Sequence, residues 1–176
     1  MRIRRERPED DVAVRAVQVA AFDQGDGRPA EADLLDALRR CDGWLPPLSW
    51  VAEIDGRVVG HNVCTRGWVG DGRTDGGTPC VGLGPIGVAP DHQRSGVGSA
   101  LVHAAIGAAD AMGEPLIALL GAPEYYGRFG FVASTELGIE PPEARWAHYF
   151  QALPLSAWND SIGGTFRYAA PFRRLD

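Results

Sequence analysis

The sequence predicts an α+β fold in a single domain over residues 1–176. Three observations predict it. Two helical segments precede a β-hairpin, a glycine-rich loop joins a strand to a third helix, and an apolar strand follows that helix. With 176 residues and a hydrophobic content of 45%, the chain has an ordinary size and can bury one core.

The N-terminal segment predicts one strand and two helices. The strand spans Met1 to Arg5. Proline and acidic residues from Pro8 to Asp11 are typical of the first turn of a helix, and apolar positions continue that helix to Phe22. The glycine-rich segment from Gly25 to Pro29 ends it. A second helix is predicted from Glu31 to Arg40, because its leucines share one face and two arginines close it.

The central segment predicts a hairpin and a further strand. Extended stretches from Trp50 to Ile54 and from Arg57 to Thr65 flank Asp55-Gly56, a pair that suits a two-residue turn. The polar segment from Gly70 to Gly77 is predicted to be a loop, and Cys80 to Val88 a strand. We assign no chemistry to that loop.

The second half of the chain begins with a clear helix and strand. The alanine-rich helix runs from Gly98 to Met112 and is capped by Gly113, and Leu116 to Leu120 follows as a buried strand. Farther on, Val132 to Ile139 is predicted to be a strand and Thr165 to Tyr168 a last extended piece. The aromatic residues between these two segments are expected in the core.

The most informative segment is VAPDHQRSGVG, Val88 to Gly98. It is a strand that turns at Pro90 into a glycine-rich loop and then a helix. Successive backbone N–H groups from Gln93 onward would surround an anion at the helix N-terminus, where unpaired donors and the helix dipole favour negative charge. Glycine at 96 and 98 lets a ligand touch the backbone. The segment predicts a phosphate-binding loop, and the alternative is a glycine-rich turn without a ligand.

Two motifs resemble the GCN5-related N-acetyltransferase (GNAT) family. Gln93-Arg94-Ser95-Gly96-Val97-Gly98 is similar to its Q/R-x-x-G-x-G/A signature, and Tyr126-Gly-Arg-Phe-Gly-Phe131 is similar to its Tyr-x-x-x-Gly-Phe motif. The order of elements resembles the family over residues 1 to 131. The resemblance implies a twisted mixed sheet with helices on both faces. It also implies that the strands before and after the loop are parallel and splay apart to admit the cofactor.

The resemblance implies an acetyl-CoA-dependent N-acetyltransferase, with acetyl-CoA as co-substrate and a primary amine of a small molecule or protein as acceptor. The pantetheine arm would lie along Ile86, Gly87 and Val88, with the Val88 N–H on the thioester oxygen. Tyr126 would protonate the leaving thiolate, since a phenol with a pKa of about 10 is protonated at neutral pH. The remaining cofactor contacts are expected from the loop: Gln93, Arg94, Ser95, Gly96, Val97, Gly98 and Ser99.

The general base is left unassigned. Many family members carry a carboxylate on or near the strand before the loop, but no acid occurs between Asp75 and Asp91. Glu53, Glu124, His61 or a chain of waters are alternatives, and the sequence does not choose among them.

Two other functions share the same cofactor site. The missing carboxylate suggests a non-catalytic acyl-CoA binding or regulatory module, and an acyltransferase using a hydroxyl acceptor or a longer acyl chain is a third reading. The acceptor pocket is expected from Phe22 to Pro47 and from Trp68 to Thr78, with the C-terminal segment completing the sheet and one wall. Asp23, Asp26 and Asp71 would attract a cationic amine there, or lie in a solvated loop.

The composition excludes several classes of function. A net charge of −6 argues against general nucleic-acid binding. All 17 basic residues are arginine, and without lysine neither P-loop nucleotide hydrolysis nor Schiff-base chemistry with pyridoxal is expected. The histidines show no ligand spacing, so no metal site is expected. Gly82 to Gly87 matches G-x-G-x-x-G but continues a strand instead of opening a helix, which disfavours a dinucleotide fold.

Location and assembly are predicted from the remaining features. Cys41, Cys64 and Cys80 are an odd number of separated cysteines, as expected for free thiols in a reducing cytoplasm. No segment approaches the ~20 apolar residues of a membrane span, and the N-terminus lacks the apolar stretch of a signal peptide. We therefore expect a cytoplasmic protein without a membrane partner. The aromatic C-terminal third is compatible with a homodimer.

Overall fold

A nine-stranded mixed sheet forms the centre of the protein in this computed structural model, which describes residues 1–23, 29–71 and 76–174. Parts of the predicted segments Gly25 to Pro29 and Gly70 to Gly77 lie outside those residues. The strands are β1 (Arg2–Arg5), β2 (Trp44–Ile54), β3 (Arg57–Gly70), β4 (Thr78–Val88), β5 (Leu116–Leu120), β6 (Val132–Ala133), β7 (Ile139–Glu140), β8 (Phe150–Pro154) and β9 (Gly164–Arg167). The helices are α1 (Asp11–Phe22), α2 (Ala30–Leu38), α3 (Val97–Ala111) and α4 (Pro123–Tyr126).

The first four strands form an antiparallel meander, and β4 then pairs with β5 in parallel. The predicted hairpin is confirmed: Asp55 and Gly56 have φ angles of +50° and +77°, the left-handed conformation that a two-residue hairpin turn requires. Both of its strands are longer than predicted. β2 begins at Trp44 and β3 ends at Gly70, because each finds partners along its whole length.

Helices cover both faces of the sheet, as predicted. Neighbouring residues of a strand point to opposite faces. In β2, Val51 packs in one cluster with the leucines of α2, whereas Ala52 packs in another with Leu101 of α3. In β3, the neighbouring residues Val63 and Cys64 likewise pack in two different clusters. The central strands are therefore buried on both sides.

The prediction of one strand from Val132 to Ile139 is wrong. Two strands of two residues occur there, separated by a 3-10 turn at Ser134–Leu137. The Ser134 hydroxyl donates to the Ile139 carbonyl at 2.8 Å, which closes the turn. β8 was not predicted as a strand; it lies between β5 and β6. The C-terminal segment therefore completes the sheet, as expected, but it does so through β8, whose aromatic-rich sequence did not predict a strand.

The parallel pair β4 and β5 separates soon after it forms. Only Val81 with Ile117 and Gly82 with Ala118 are paired, although β4 continues to Val88. This confirms the predicted splay. From Leu83 onward, β4 is paired with β3 on one edge and has no β5 partner on the other.

A buried polar network connects α1 to the sheet. The His61 ring in β3 accepts a hydrogen bond at Nδ1 from the Gln18 amide of α1 (2.8 Å) and donates from Nε2 to Glu6 (3.2 Å). Ser49 and Arg39 also bind Glu6. Burial lowers the pKa of His61. Burial also acts to raise the pKa of Glu6, but hydrogen bonds from His61 and Ser49 and the charge of Arg39 bring it down to about 2.

We predict that Phe166→Ala destabilises the fold. The Phe166 ring is fully buried and contacts the rings of Phe150 and Tyr168, at centroid distances of 5.2 and 4.7 Å. Truncation leaves a cavity and should lower the free energy of unfolding by about 3–5 kcal/mol, measured by denaturant unfolding. Tyr149→Ala, at an aromatic that is 51% exposed, is the matched control and should cost far less. Equal losses in the two variants would contradict this packing.

We also predict that acid destabilises the protein through His61. In the unfolded chain, His61 has the ordinary histidine pKa of 6.5 and binds a proton that it does not bind in the folded chain. The free energy of unfolding therefore falls as the pH falls below 6.5. Glu6 adds stability that is lost only below its ordinary pKa of 4.5, towards about 2. Denaturant unfolding at pH 7.5 and pH 5.5 measures the first effect.

His61→Gln should weaken the dependence of stability on pH over that range, whereas His148→Gln, at an exposed histidine, should preserve it. A wild-type pH dependence in His61→Gln would show that this ring does not control it.

Candidate active site

The glycine-rich loop joins β4 to α3 and leaves a row of backbone donors unused. Arg94 and Gly96 have φ angles of +58° and +89°, which turn the chain sharply before α3 begins at Val97. From Arg94 to Ser99, the N–H groups donate no hydrogen bond within the described part of the chain. They lie at the N-terminus of a helix of 15 residues, where the dipole adds a positive potential. The loop can therefore hold an anion.

Gln93 stands apart from the other loop residues. Its N–H donates to the Pro90 carbonyl at 3.2 Å, and its side-chain amide donates to the Val88 carbonyl at 3.1 Å. The Ser95 hydroxyl similarly donates to the His92 carbonyl at 2.5 Å. These two side chains hold the loop in shape. The side chain of Val97 is buried in the core, so of this residue only the backbone faces the loop.

The exposed edge of β4 carries further backbone groups. The N–H of Ala89 donates to Val59 in β3 at 2.9 Å. Because backbone groups alternate along a strand, the N–H of Val88 points away from β3, and Ile86 follows the same alternation. Gly87 lies between them with its backbone towards β3. A Cβ on Gly87 would come within 2.9 Å of Gln18 Oε1, so glycine lets α1 lie directly against the strand.

A cavity of about 640 Å³ extends along this edge and in front of the loop. The end of α1, the exposed edge of β4, the loop and α4 line it, through Ala21, Phe22, Ile86, Val88, Gln93, Arg94, Gly96, Gly98, Ser99, Tyr125 and Arg128. Most of the predicted cofactor contacts are thus brought together around one space, but Gly87, Ser95 and Val97 do not line it.

The adjacent residues Tyr125 and Tyr126 have different surroundings. A Cβ on Gly98 would lie 2.9 Å from the Tyr125 hydroxyl, so Tyr125 lies beside the loop, and the Arg128 guanidinium is 4.8 Å from its ring centre. Tyr126 is 9% exposed and packs edge-to-face on Phe131. Burial, with a smaller effect of Tyr125, raises the pKa of Tyr126 to about 12. Its phenol therefore remains protonated across the physiological range.

Tyr126 lines a second cavity, of about 770 Å³, which shares Phe22 and Ile86 with the first. Gly121 permits this placement, because a Cβ there would lie 2.3 Å from the Tyr126 ring. Glu31 of α2 also lines this cavity, and it was not singled out by sequence reasoning. A carboxylate in the first turn of a helix is common for electrostatic reasons, so no pattern in the sequence marks Glu31.

The predicted acceptor segments contribute unequally. From the first, the second cavity takes Phe22, Ala30, Glu31 and Leu34. From the second, it takes none of the described residues; the C-terminal residues Trp146, Tyr168 and Phe172 form that wall instead. Asp23 and Asp71 do not line it, and Asp26 lies outside the described residues.

The three candidate bases lie elsewhere. Glu53 is ion-paired with Arg4 at 2.8 Å, Glu124 is exposed, and His61 is buried in the polar network. None of the three lines either cavity.

The described residues contain no group of three or more histidine, cysteine, aspartate or glutamate side chains that could hold a metal ion. All three cysteines are free, and burial raises the pKa of Cys80 to about 12. None of the helices in the described ranges is long and apolar enough to cross a membrane.

Comparison with known proteins agrees with this geometry. The model of the acetyltransferase (GNAT) family matches residues 13–131. The uncharacterized N-acetyltransferase YjhQ of Escherichia coli strain K12 is 35% identical over 118 residues, which are 67% of this chain and 62% of that protein. The match therefore spans less than two thirds of that relative's length.

Solved structures share the fold over almost the whole chain. The GNAT family N-acetyltransferase YhbS of Escherichia coli, in complex with CoA, has a TM-score of 0.87 and 25% identity, with 99% of this chain and 93% of that chain covered. A GNAT family acetyltransferase of Brucella melitensis, in complex with acetyl-CoA, has a TM-score of 0.77 and 32% identity, with 97% of each chain covered. The chain belongs to the acetyltransferase (GNAT) family.

Proposed function

We propose that the protein is an acetyl-CoA-dependent N-acetyltransferase that transfers the acetyl group to a primary amine of a small molecule or a protein. The observation that carries this proposal is a pair of neighbouring cavities. One runs along the free edge of β4 to the loop donors, and the other is lined by Tyr126. Phe22 and Ile86 line both, so a cofactor in the first and an acceptor in the second would lie next to each other.

The first cavity suits CoA. The N–H groups of the loop from Arg94 to Ser99 would bind the diphosphate, as donors at a helix N-terminus bind phosphate in general. The pantetheine arm would lie along β4, where Ile86 and Val88 direct backbone groups away from β3. The two structural relatives form complexes with CoA and acetyl-CoA, which supports CoA as the ligand of this cavity.

The proposed reaction is direct attack. The lone pair of the neutral amine forms a bond to the thioester carbon, while the Val88 N–H donates to the carbonyl oxygen as negative charge develops there. The C–S bond then breaks, leaving an acetamide and the CoA thiolate. The thiolate gains one proton and the nitrogen loses one, so the amine, the thioester and the two products balance.

The high pKa of Tyr126 defines how its phenol would help. A thiol has a pKa of about 8.5, so complete proton transfer from a phenol with a pKa of about 12 is uphill. Its first contribution is therefore a hydrogen bond to the sulfur as negative charge builds up. The proton is then transferred to the sulfur, and the Tyr126 phenol regains a proton from solvent.

A non-catalytic acyl-CoA binding module is the second candidate, because β4 carries no carboxylate. Release of free CoA thiol, followed with acetyl-CoA and a panel of amines, separates the two. A binding module is stabilised by acetyl-CoA without releasing thiol. The same panel, extended to alcohols and longer acyl-CoAs, identifies an O-acyltransferase or a different acyl group.

Gly96→Val should abolish saturable binding of acetyl-CoA in isothermal titration calorimetry. Gly96 has a φ of +89°, which a β-branched residue adopts only under strain, and it lines the first cavity where the diphosphate would lie. Gly107→Val, on an exposed turn of α3 with no neighbour within 4 Å, is the control and should bind normally. Wild-type binding by a folded Gly96→Val would refute the proposed diphosphate site.

Tyr126→Phe should lower kcat by about 100-fold or more, as the loss of a general acid commonly does, with the KM for acetyl-CoA unchanged. The adjacent Tyr125 provides the comparison. Because its hydroxyl lies at the loop, Tyr125→Phe should affect the KM for acetyl-CoA and not kcat. Steady-state kinetics on both variants measures this, and the reverse pattern would transfer the acid role to Tyr125.

A further inference from the structure

We infer that the acceptor is a primary amine attached to an aromatic body, and that Glu31 binds its ammonium group. This inference rests on the proposed function and deepens it by naming the acceptor class. It follows from the shape and the charges of the second cavity.

The second cavity is placed for an acceptor. It shares the lining residues Phe22 and Ile86 with the first, and Tyr126 lies in its wall. A nitrogen bound in it can therefore approach a thioester held at the edge of β4. The volume of about 770 Å³ is within the range of pockets that bind small molecules.

Glu31 supplies an unmatched negative charge. Its side chain is half-buried and makes no hydrogen bond or ion pair with the described residues. The other acids of α2 are engaged: Asp33 and Asp36 both pair with Arg15. A bound ammonium group would supply the charged partner that this carboxylate lacks.

Arg145 does not cancel this charge. It is the other charged side chain among the described residues that line the cavity. Its Nε donates to Glu143 at 2.6 Å, and its guanidinium lies 5.6 Å from the centre of the Trp146 ring. The charge of Arg145 is therefore already balanced by Glu143, and the carboxylate of Glu31 is available to a cationic ligand.

The rest of the lining is apolar and aromatic. The lining includes Leu34, Leu83, Trp146, Tyr168 and Phe172. The three aromatic residues also line a smaller cavity of about 210 Å³. An aryl ring would bury its faces against such walls, whereas a polyhydroxylated amine would leave its hydroxyls without partners there.

The proton balance gives Glu31 a second role. The ammonium donates one proton to the carboxylate, which passes it to solvent, and the freed lone pair attacks the thioester carbon. The C–S bond breaks, the nitrogen loses its second proton to solvent, and the sulfur receives a proton from Tyr126, which regains one from solvent. The products are an N-acetylated arylalkylamine, the CoA thiol and one proton released to solvent.

Thiol release from acetyl-CoA by the full chain tests the acceptor class with three matched probes. Of these, 2-phenylethylamine carries both features, ethylamine lacks the ring, and 2-phenylethanol lacks the ammonium. We expect kcat/KM to be highest for 2-phenylethylamine, much lower for ethylamine, and undetectable for 2-phenylethanol. Equal efficiency for ethylamine would overturn the aromatic part of the inference, and turnover of the alcohol would overturn the amine part.

The variant Glu31→Gln tests the carboxylate. It should raise the KM for 2-phenylethylamine by roughly 10- to 100-fold, the effect of losing a hydrogen bond to a charged group, with the KM for acetyl-CoA unchanged. Asp33→Asn, which removes an exposed charge two positions along the same helix, is the matched control.

The outcomes separate this inference from the proposed function. Transfer to other amines by a protein that ignores 2-phenylethylamine, or an unchanged KM in Glu31→Gln, would overturn only the inference. No acetyl-CoA binding in calorimetry, or no thiol release with any amine, would overturn both.

Discussion

The candidate site depends on the separation of β4 from β5. Their hydrogen bonding ends at Gly82 and Ala118, while β4 continues to Val88 with β3 holding its other edge. A strand with one unpaired edge is normally a liability, because it invites pairing with another chain. Here the unpaired edge lies inside a cavity that ends at the loop donors, so the same backbone groups are available to a ligand. Without this separation the cavities would have no common boundary.

A second constraint, the packing of α1 on β4, sets the width of the first cavity. Gly87 has no side chain, so α1 packs directly on β4, and the hydrogen bond between Gln18 and His61 fixes its position. Phe22, at the end of α1, then lies in the wall that both cavities share. The buried network therefore acts on the site through packing. His61 can therefore influence the shape of the site although it lies outside both cavities.

The sequence predicted best what is encoded locally. The turn at Asp55-Gly56, the loop after Val88 and the Tyr126 motif each depend on a few adjacent residues, and the main elements up to Leu120 were located to within a few positions, although β2 and β3 extend farther. The failures depend on tertiary structure. Val132 to Ile139 forms two short strands because each pairs with a distant partner, β8 or β9. Glu31 is a candidate site residue only because the fold brings α2 to the second cavity.

The two adjacent tyrosines show how the structure adds to a motif. The resemblance to the family motif selects Tyr126. The structure distinguishes the two residues, because Tyr125 lies at Gly98 and the loop while Tyr126 lies against Gly121 in the second cavity. The burial that raises the pKa of Tyr126 also strengthens any hydrogen bond it donates, since the local dielectric is low. A phenol that resists ionisation is a poor base but an effective donor to a developing thiolate. In the proposed reaction the amine must then lose its proton elsewhere, and within the described lining of that cavity the carboxylate available for it is Glu31.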